Sequence, residues 1–265
     1  MKLLLISLLF IINIGTANAA NSFIDDAVAS KHRTEKNKAR DVYRHPAETL
    51  AFFGLQEDMK VLEVLAGRGW YTEILAPALK DKGELTVTSF GDKHPSDYLR
   101  GIHNDFKKIL DGNPDIYGNI KLAVFKDGEY LKGISDDSQD MVVTFRNTHN
   151  WIRFGGIEDA YRAFHRVLKK GGVLGVVQHR ANEGSVAKDS AQKGYVPKSY
   201  LIRLIEDIGF ELVATSEVNA NSKDTKDHPE GVWTLPPSYR LKDVDKEKYT
   251  AIGESDRMTL RFVKK

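Results

Sequence analysis

The stretch Val61–Pro77 reads VLEVLAGRGWYTEILAP, and its pattern changes twice within those few residues. Val61-Leu62-Glu63-Val64-Leu65 is a short, β-rich apolar run interrupted by one carboxylate. Ala66-Gly67-Arg68-Gly69 follows, with glycines that permit positive φ and let a ligand come close to the backbone. From Trp70 to Leu79 the spacing becomes helical. Strand, glycine turn and helix in immediate succession open a βαβ unit.

The same alternation extends downstream. Strands are expected at Leu85–Phe90, Ile120–Phe125, Met141–Phe145 and Val173–Val177, with further strands at Phe210–Val218 and Met258–Val263. Helices are expected at Leu99–Leu110, Ile157–Lys170 and Lys198–Ile208. In Ile157–Lys170 the apolar residues Ile157, Ala160, Tyr161, Phe164 and Leu168 form one stripe. Its acids come early and its bases late, as the helix dipole favours, and Gly171-Gly172 is expected to stop it. Upstream, a partly exposed helix is expected over Ser22–Val42, then a break at His45-Pro46 and a short helix Ala47–Phe53 ending at Gly54. Strands alternating with helices predict a mostly parallel sheet covered on both faces. The last two strands lack a clear helix between them and can pair antiparallel. The long stretch 219–257 that separates them is expected to be functional or separately packed.

Met1-Lys2, an apolar run Leu3–Gly15 and the small residues Ala17 and Ala19 have the layout of a secretory signal peptide, with cleavage expected after Ala19. The apolar run is short for a spanning helix, so no stable membrane span is expected after cleavage. The chain is thus expected to be exported, to the periplasm in a Gram-negative host and otherwise secreted. It divides into a signal peptide (1–19), an N-terminal helical segment (20–58) and one α/β domain (59–265) carrying the insert 219–257. With 39 Lys and Arg against 37 Asp and Glu, the chain lacks the dominant basic field of a nucleic-acid protein. It contains no cysteine, which excludes disulfides, thiolate metal sites and cysteine nucleophiles.

Three patterns together resemble the class I S-adenosylmethionine-dependent methyltransferases. The stretch Val61–Pro77 is similar to the family's first motif. Asp127-Gly128-Glu129-Tyr130-Leu131, followed by Asp140-Met141-Val142-Val143, resembles its acidic turn after the third strand and its fourth strand. Phe164 to Leu174, FHRVLKKGGVL, resembles the helix, turn and fifth strand that come next. The chain looks closer still to a subgroup of exported predicted methyltransferases. That likeness lies in Ser216–Asn221, Asp224–Pro229, Gly231–Pro237 and Ile252–Met258.

The resemblance implies a doubly wound, Rossmann-like sheet of seven strands with the last one reversed. It also implies S-adenosyl-L-methionine as cofactor. In open α/β sheets ligands sit beyond the carboxyl ends of the strands where their order reverses, which places Gly67, Gly69 and Ala66 at the cofactor. By resemblance, Glu63 orients the turn or meets the ammonium group of the bound amino acid, although it also reads as a structural carboxylate. Asp127 is implied at the adenine amino group, with Gly128 leaving room for the ring. Two positions depart from the family. Leu65 stands where a glycine is usual, and Thr88-Ser89-Phe90-Gly91-Asp92 lacks the acidic residue that ends the second strand and holds the ribose. Ser89 is a candidate to donate one hydrogen bond there, and Asp92 a second candidate if the register is shifted.

Methyl transfer is mainly a matter of alignment, and a base is needed only where the acceptor must lose a proton. After the fourth strand, His149 is a candidate base, Asn147 a candidate orienting group and Trp151 a candidate pocket wall. The alternative is a polar loop histidine and a core tryptophan. His179 lies on the same rim. Asp227, His228 and Trp233, in the long insert, either cap the pocket or anchor a surface excursion. Glu254 and Arg257 are placed to pair within the domain. The acceptor is expected to be a small molecule or an exposed protein or lipid group, with no nucleic acid; the oligomeric state stays open. The competing reading is a catalytically inactive methyltransferase-fold protein that binds a small ligand or partner. A metal-dependent hydrolase lacks the ligand spacing it needs, and no metal is expected. A nicotinamide enzyme would need a glycine where Thr72 stands.

Overall fold

The expected strands form at Lys60–Val64 (β1), Glu84–Ser89 (β2), Lys121–Val124 (β3), Gln139–Phe145 (β4), Leu168–His179 (β5), Phe210–Ser216 (β6) and Arg257–Lys264 (β7). The computed structural model describes residues 22–126 and 128–265; the expected signal peptide and Asp127 lie outside them. The strands form one seven-stranded sheet in the order β3-β2-β1-β4-β5-β7-β6. From β3 across to β5 neighbours run parallel. β7 runs antiparallel to both β5 and β6, so the expected reversed last strand is present. Strand order reverses between β1 and β4, and the crevice there is where such sheets place ligands.

The central strands are apolar on both sides because helices cover both faces. Val61 and Val143 join one buried cluster with Leu50, Phe53, Ile74 and Phe106. Their chain neighbours Leu62 and Val142 join the other, with Trp151, Phe164, Leu201 and Phe262. This is the period of two that a strand imposes. The helix Lys198–Ile208 forms over its expected span and ends on Gly209 in the left-handed conformation.

Three expectations need correction. The helix Ser22–Val42 is broken into Ser22–Val28, Glu35–Lys38 and Asp41–Arg44. The break arises because Arg33 turns inward. Its Nη1 donates to the Val28 carbonyl at 2.8 Å, and its two terminal nitrogens donate to the Asp41 carboxylate at 2.8 and 2.7 Å. Thr34 then caps the next turn. Second, the helix from Ile157 ends at Val167, and Gly171-Gly172 lies inside β5 rather than stopping it. Leu168 is already paired with Gln139, and a register shift follows before Met141 meets Val173. Gly172 is required at that irregularity, since a Cβ there would lie 2.8 Å from the Lys169 carbonyl oxygen. Third, the residues after β4, where the alternative reading made His149 a loop residue, form a helix, Thr148–Phe154.

The insert 219–257 is tied down along its length. Asn219 donates to the Thr49 and Thr259 hydroxyls, each at 2.9 Å. A 3₁₀ turn Gly231–Thr234 and a helix Lys246–Ile252 follow. Among the described residues no helix is long and apolar enough to cross a membrane.

Candidate functional site

The turn after β1 is held from both sides. Leu65 N donates to the Thr88 hydroxyl at 2.9 Å and Ala66 N to the Thr88 carbonyl at 3.2 Å, both on β2. From the end of β4, Asn147 Nδ2 donates to the Val64 carbonyl at 3.0 Å. These bonds hold Leu65 at φ 50°, a left-handed conformation that a glycine would adopt without strain. The next residues divide their roles. Gly69 (φ 82°) has no room for a side chain, since a Cβ would lie 2.7 Å from the Phe106 ring. Gly67 (φ 63°) would direct a Cβ into open space.

That space is a cavity of about 360 Å³ at the carboxyl ends of β1, β4 and β5. Glu63, Ala66, Gly67, Asn147, His149, His179 and Trp233, all expected at the site, lie on its wall. Glu63 is 2% exposed and accepts from the Thr72 hydroxyl at 2.6 Å. Burial pushes its carboxyl up to about 7, against the downward pull of the Thr72 bond. The unfolded chain has no such shift, so ionising Glu63 costs the fold stability as pH rises from the ordinary carboxyl range through 7. A Glu63→Gln variant is therefore expected to melt above the parent at pH 8, with the difference shrinking toward pH 5. Paired thermal melts across that range check it.

The two histidines differ in what fixes them. Gln178 Nε2 donates to the Gly194 carbonyl at 3.0 Å, which sets the amide orientation, and reaches His149 Nδ1 at 3.3 Å. His149 Nδ1 is then an acceptor and its proton sits on Nε2. His179 Nδ1 lies 2.5 Å from the Ser255 hydroxyl, and the rings of His149 and His179 are 5.6 Å apart. Burial pulls His149 down to about 4 and His179 well below its ordinary value, so both rings are neutral at pH 7.

The other expected residues lie off the cavity wall. Ser89 is 1% exposed at the end of β2, and its hydroxyl has no partner among the described residues. Gly128 faces a separate groove with Tyr130 and Arg162. Trp151 is packed between Phe125, Tyr161 and Phe164 in the core. His228 is buried with its Nε2 2.9 Å from the Asp224 carboxylate, and Asp227 is exposed. No group of three or more His, Cys, Asp or Glu among the described residues could hold a metal ion.

The sequence reading missed the basic side of the cavity. Arg40, Arg44 and Arg146 line it, with Trp70, Tyr71, Phe145, Glu254 and Ser255. Arg40 and Arg44 stand one helical turn apart in a segment that reads as solvated charge. That segment is latched over the glycine turn. Asn37 Nδ2 donates to Glu73 at 2.7 Å, Trp70 Nε1 donates to the Asn37 carbonyl at 3.2 Å, and the Arg44 guanidinium lies 4.5 Å from the Trp70 ring centroid. Glu254 accepts from Arg40 Nε at 2.7 Å and from Arg44 Nε and Arg257 Nη1 at 3.1 Å each.

No protein-family model matches the chain. A sterol 24-C-methyltransferase, erg-4, of Neurospora crassa is 26% identical over 194 residues, 65% of this chain and 45% of that protein. The chain thus spans less than half the length of the curated relative it matches. Among solved structures, a SAM-dependent methyltransferase from Aquifex aeolicus superposes with a TM-score of 0.55 at 17% identity, covering 68% of this chain and 87% of that one. The [4+2]-cyclase SpnF superposes with a TM-score of 0.54 at 19% identity, covering 91% of each chain. The fold is the Rossmann-like fold of class I methyltransferases.

Proposed function

We propose that the protein is an S-adenosylmethionine-dependent methyltransferase acting on an acceptor outside the cytoplasm. The observation that carries this reading is the Gly67 turn. It has left-handed backbone, open space where a Cβ would stand, and a cavity beyond it at the β1/β4 reversal. The residues present fit the cofactor. Ala66 and Gly67 give backbone that a ligand can approach, and Glu63 supplies a carboxyl under the same turn. When bound, the cofactor supplies an activated sulfonium methyl group. The chain's own contribution is alignment, which accounts for much of the rate in such transfers. Asn147 acts indirectly, by clamping the turn. Neutral His179, steered by Ser255, takes the acceptor's proton where there is one to lose, and His149 offers its Nε2 proton as a hydrogen-bond donor. The likeness to erg-4 and the Aquifex enzyme supports the reaction class. The stretch Met1–Ala20 supports export.

Calorimetric titration with S-adenosylmethionine and S-adenosylhomocysteine tests the reading. Micromolar affinity, roughly −8 kcal/mol, is expected. Gly67→Asp is expected to weaken S-adenosylhomocysteine by about tenfold or more while staying folded. Its Cβ meets open space, and aspartate tolerates left-handed backbone. Equal affinity in that variant would sink the assignment of the turn. One observation favours a second reading, a binding protein that lost the chemistry: Ser89, one of the residues expected to hold the ribose, is enclosed. A folded parent that binds neither cofactor form would establish that alternative.

A further inference from the structure

The cavity holds more positive charge than its own residues neutralise. Four guanidinium groups gather there: Arg40, Arg44 and Arg146 on the wall and Arg257 behind Glu254. Glu254 is the one carboxylate among the described residues that pairs with them. Arg257 is also satisfied by main chain, donating to the Tyr43 and Ser255 carbonyls at 2.6 and 3.1 Å. Arg44 is not satisfied. It is 2% exposed, gives Nε to Glu254, and keeps Nη1 buried without a partner among the described residues. Arg146 goes further, since its guanidinium makes no hydrogen bond or ion pair with any described residue. It is half-buried on the cavity wall, and desolvation there pulls it down to about 10. The other titratable groups on the wall do not offset this excess. Both histidines are neutral, and Glu63 is only partly ionised near pH 7.

Enclosing unpaired guanidinium groups is costly unless a counter-charge arrives. Arginine also presents a planar fork of donors that matches a carboxylate or phosphate two bonds at a time. We propose that the cavity takes an acceptor bearing an oxyanion, a carboxylate or a phosphate ester, and that Arg146 and Arg44 pair with it. The acceptor atom that receives the methyl group is turned toward the Gly67 turn and His179. The acceptor part of this assignment rests on the methyltransferase reading. The oxyanion site itself rests only on the arginines. The same chemistry could also be met by the α-carboxylate of the cofactor, and the experiment separates these sources.

The experiment titrates the purified protein with inorganic phosphate and with benzoate, following Trp70 and Trp233 fluorescence and the melting temperature. It is run with and without saturating S-adenosylhomocysteine. Both probes are expected to bind and to raise the melting temperature. Arg146→Asn, which suits the left-handed backbone at φ 64°, is expected to weaken both by tenfold or more. Arg146→Lys, which keeps charge but loses the fork, is expected to fall between. Because the Arg146 guanidinium makes no hydrogen bond with any described residue, and its backbone N–H bond to the Val177 carbonyl is kept in both variants, neither is expected to melt below the parent without probe. With S-adenosylhomocysteine bound, probe affinity is expected to be unchanged or higher. Equal probe binding by parent and Arg146→Asn would overturn the site. Competition between probe and S-adenosylhomocysteine would overturn the acceptor assignment and give the oxyanion site to the cofactor. Probe binding that depends on Arg146, in a protein that ignores S-adenosylhomocysteine, would uphold the oxyanion site and reject the methyltransferase reading.

Discussion

Replacing Glu254 by alanine is expected to cost about 3–5 kcal/mol of stability, the range for removing one partner of a buried ion pair. Its side chain is 4% exposed, and the Arg44 and Arg257 side chains that it pairs with are 2% and 3% exposed. Without Glu254 those guanidinium groups remain enclosed, repel one another and repel Arg146. The loss is also architectural. Glu254 precedes β7, whereas Arg40 and Arg44 belong to the N-terminal segment, so the carboxylate joins the two ends of the chain. Chemical denaturation measures the cost. Hydrogen exchange across residues 33–54 is expected to rise more than exchange in β1 and β4. A midpoint shift below 1 kcal/mol would mean that the arginines find other partners.

The second large effect is expected at Asp224. Its side chain is fully buried, and four donors converge on it. The Tyr195 hydroxyl lies at 3.0 Å, His228 Nε2 at 2.9 Å, Lys226 N at 3.0 Å and Asp256 N at 2.8 Å. Each buried donor left unsatisfied costs about 1–3 kcal/mol, so Asp224→Ala is expected to lose at least 3 kcal/mol. The loss should be local in the first instance. Asp224 ties the insert to the start of β7 and to Tyr195, whereas the seven strands pair without it. The variant is expected to show an early transition in Trp233 fluorescence while far-ultraviolet circular dichroism holds. A single coincident transition at the parent's midpoint would show that the cluster contributes little. Asp224→Asn, which keeps an acceptor oxygen, is expected to lose less.

The sheet was legible because its strands carry their own signal. Val173–Val177 is a continuous apolar run, and Val61–Val64 is one broken only by Glu63; short runs of this kind between glycine turns suit strands buried on both faces. Lys198–Ile208 was legible for the same reason, with one apolar face and Gly209 to end it. Ile157–Val167 was overextended because Lys169 and Lys170 suit a helix terminus. Strand pairing of Leu168 with Gln139 outweighed that local preference. The basic half of the cavity was illegible in a different way. The Arg40/Arg44 pair, Arg146 and Arg257 are far apart in the chain, and of these only Arg257 was read with a partner, Glu254. Only the fold brings Arg40, Arg44 and Arg257 to one carboxylate and sets Arg146 on the same wall. Trp151 and His149 show the complementary limit. They are two residues apart on one helix, yet one faces the core and the other the cavity, and that side-chain direction was not available from spacing until the helix itself was recognised.

The latch between the chain ends has a consequence for timing. Arg40 and Glu254 are 214 positions apart, so the contact that completes the cavity wall is among the least local in the molecule. Non-local contacts form late, after the entropy of closing the intervening chain has been met. On a chain made or threaded from its amino end, the glycine turn emerges early but has no closed pocket to serve. The pocket comes into existence only when the final strand arrives. Any ligand that needs the complete wall must then be met by the finished protein, in whatever compartment the finished protein occupies, and cannot be carried there on a partly folded chain.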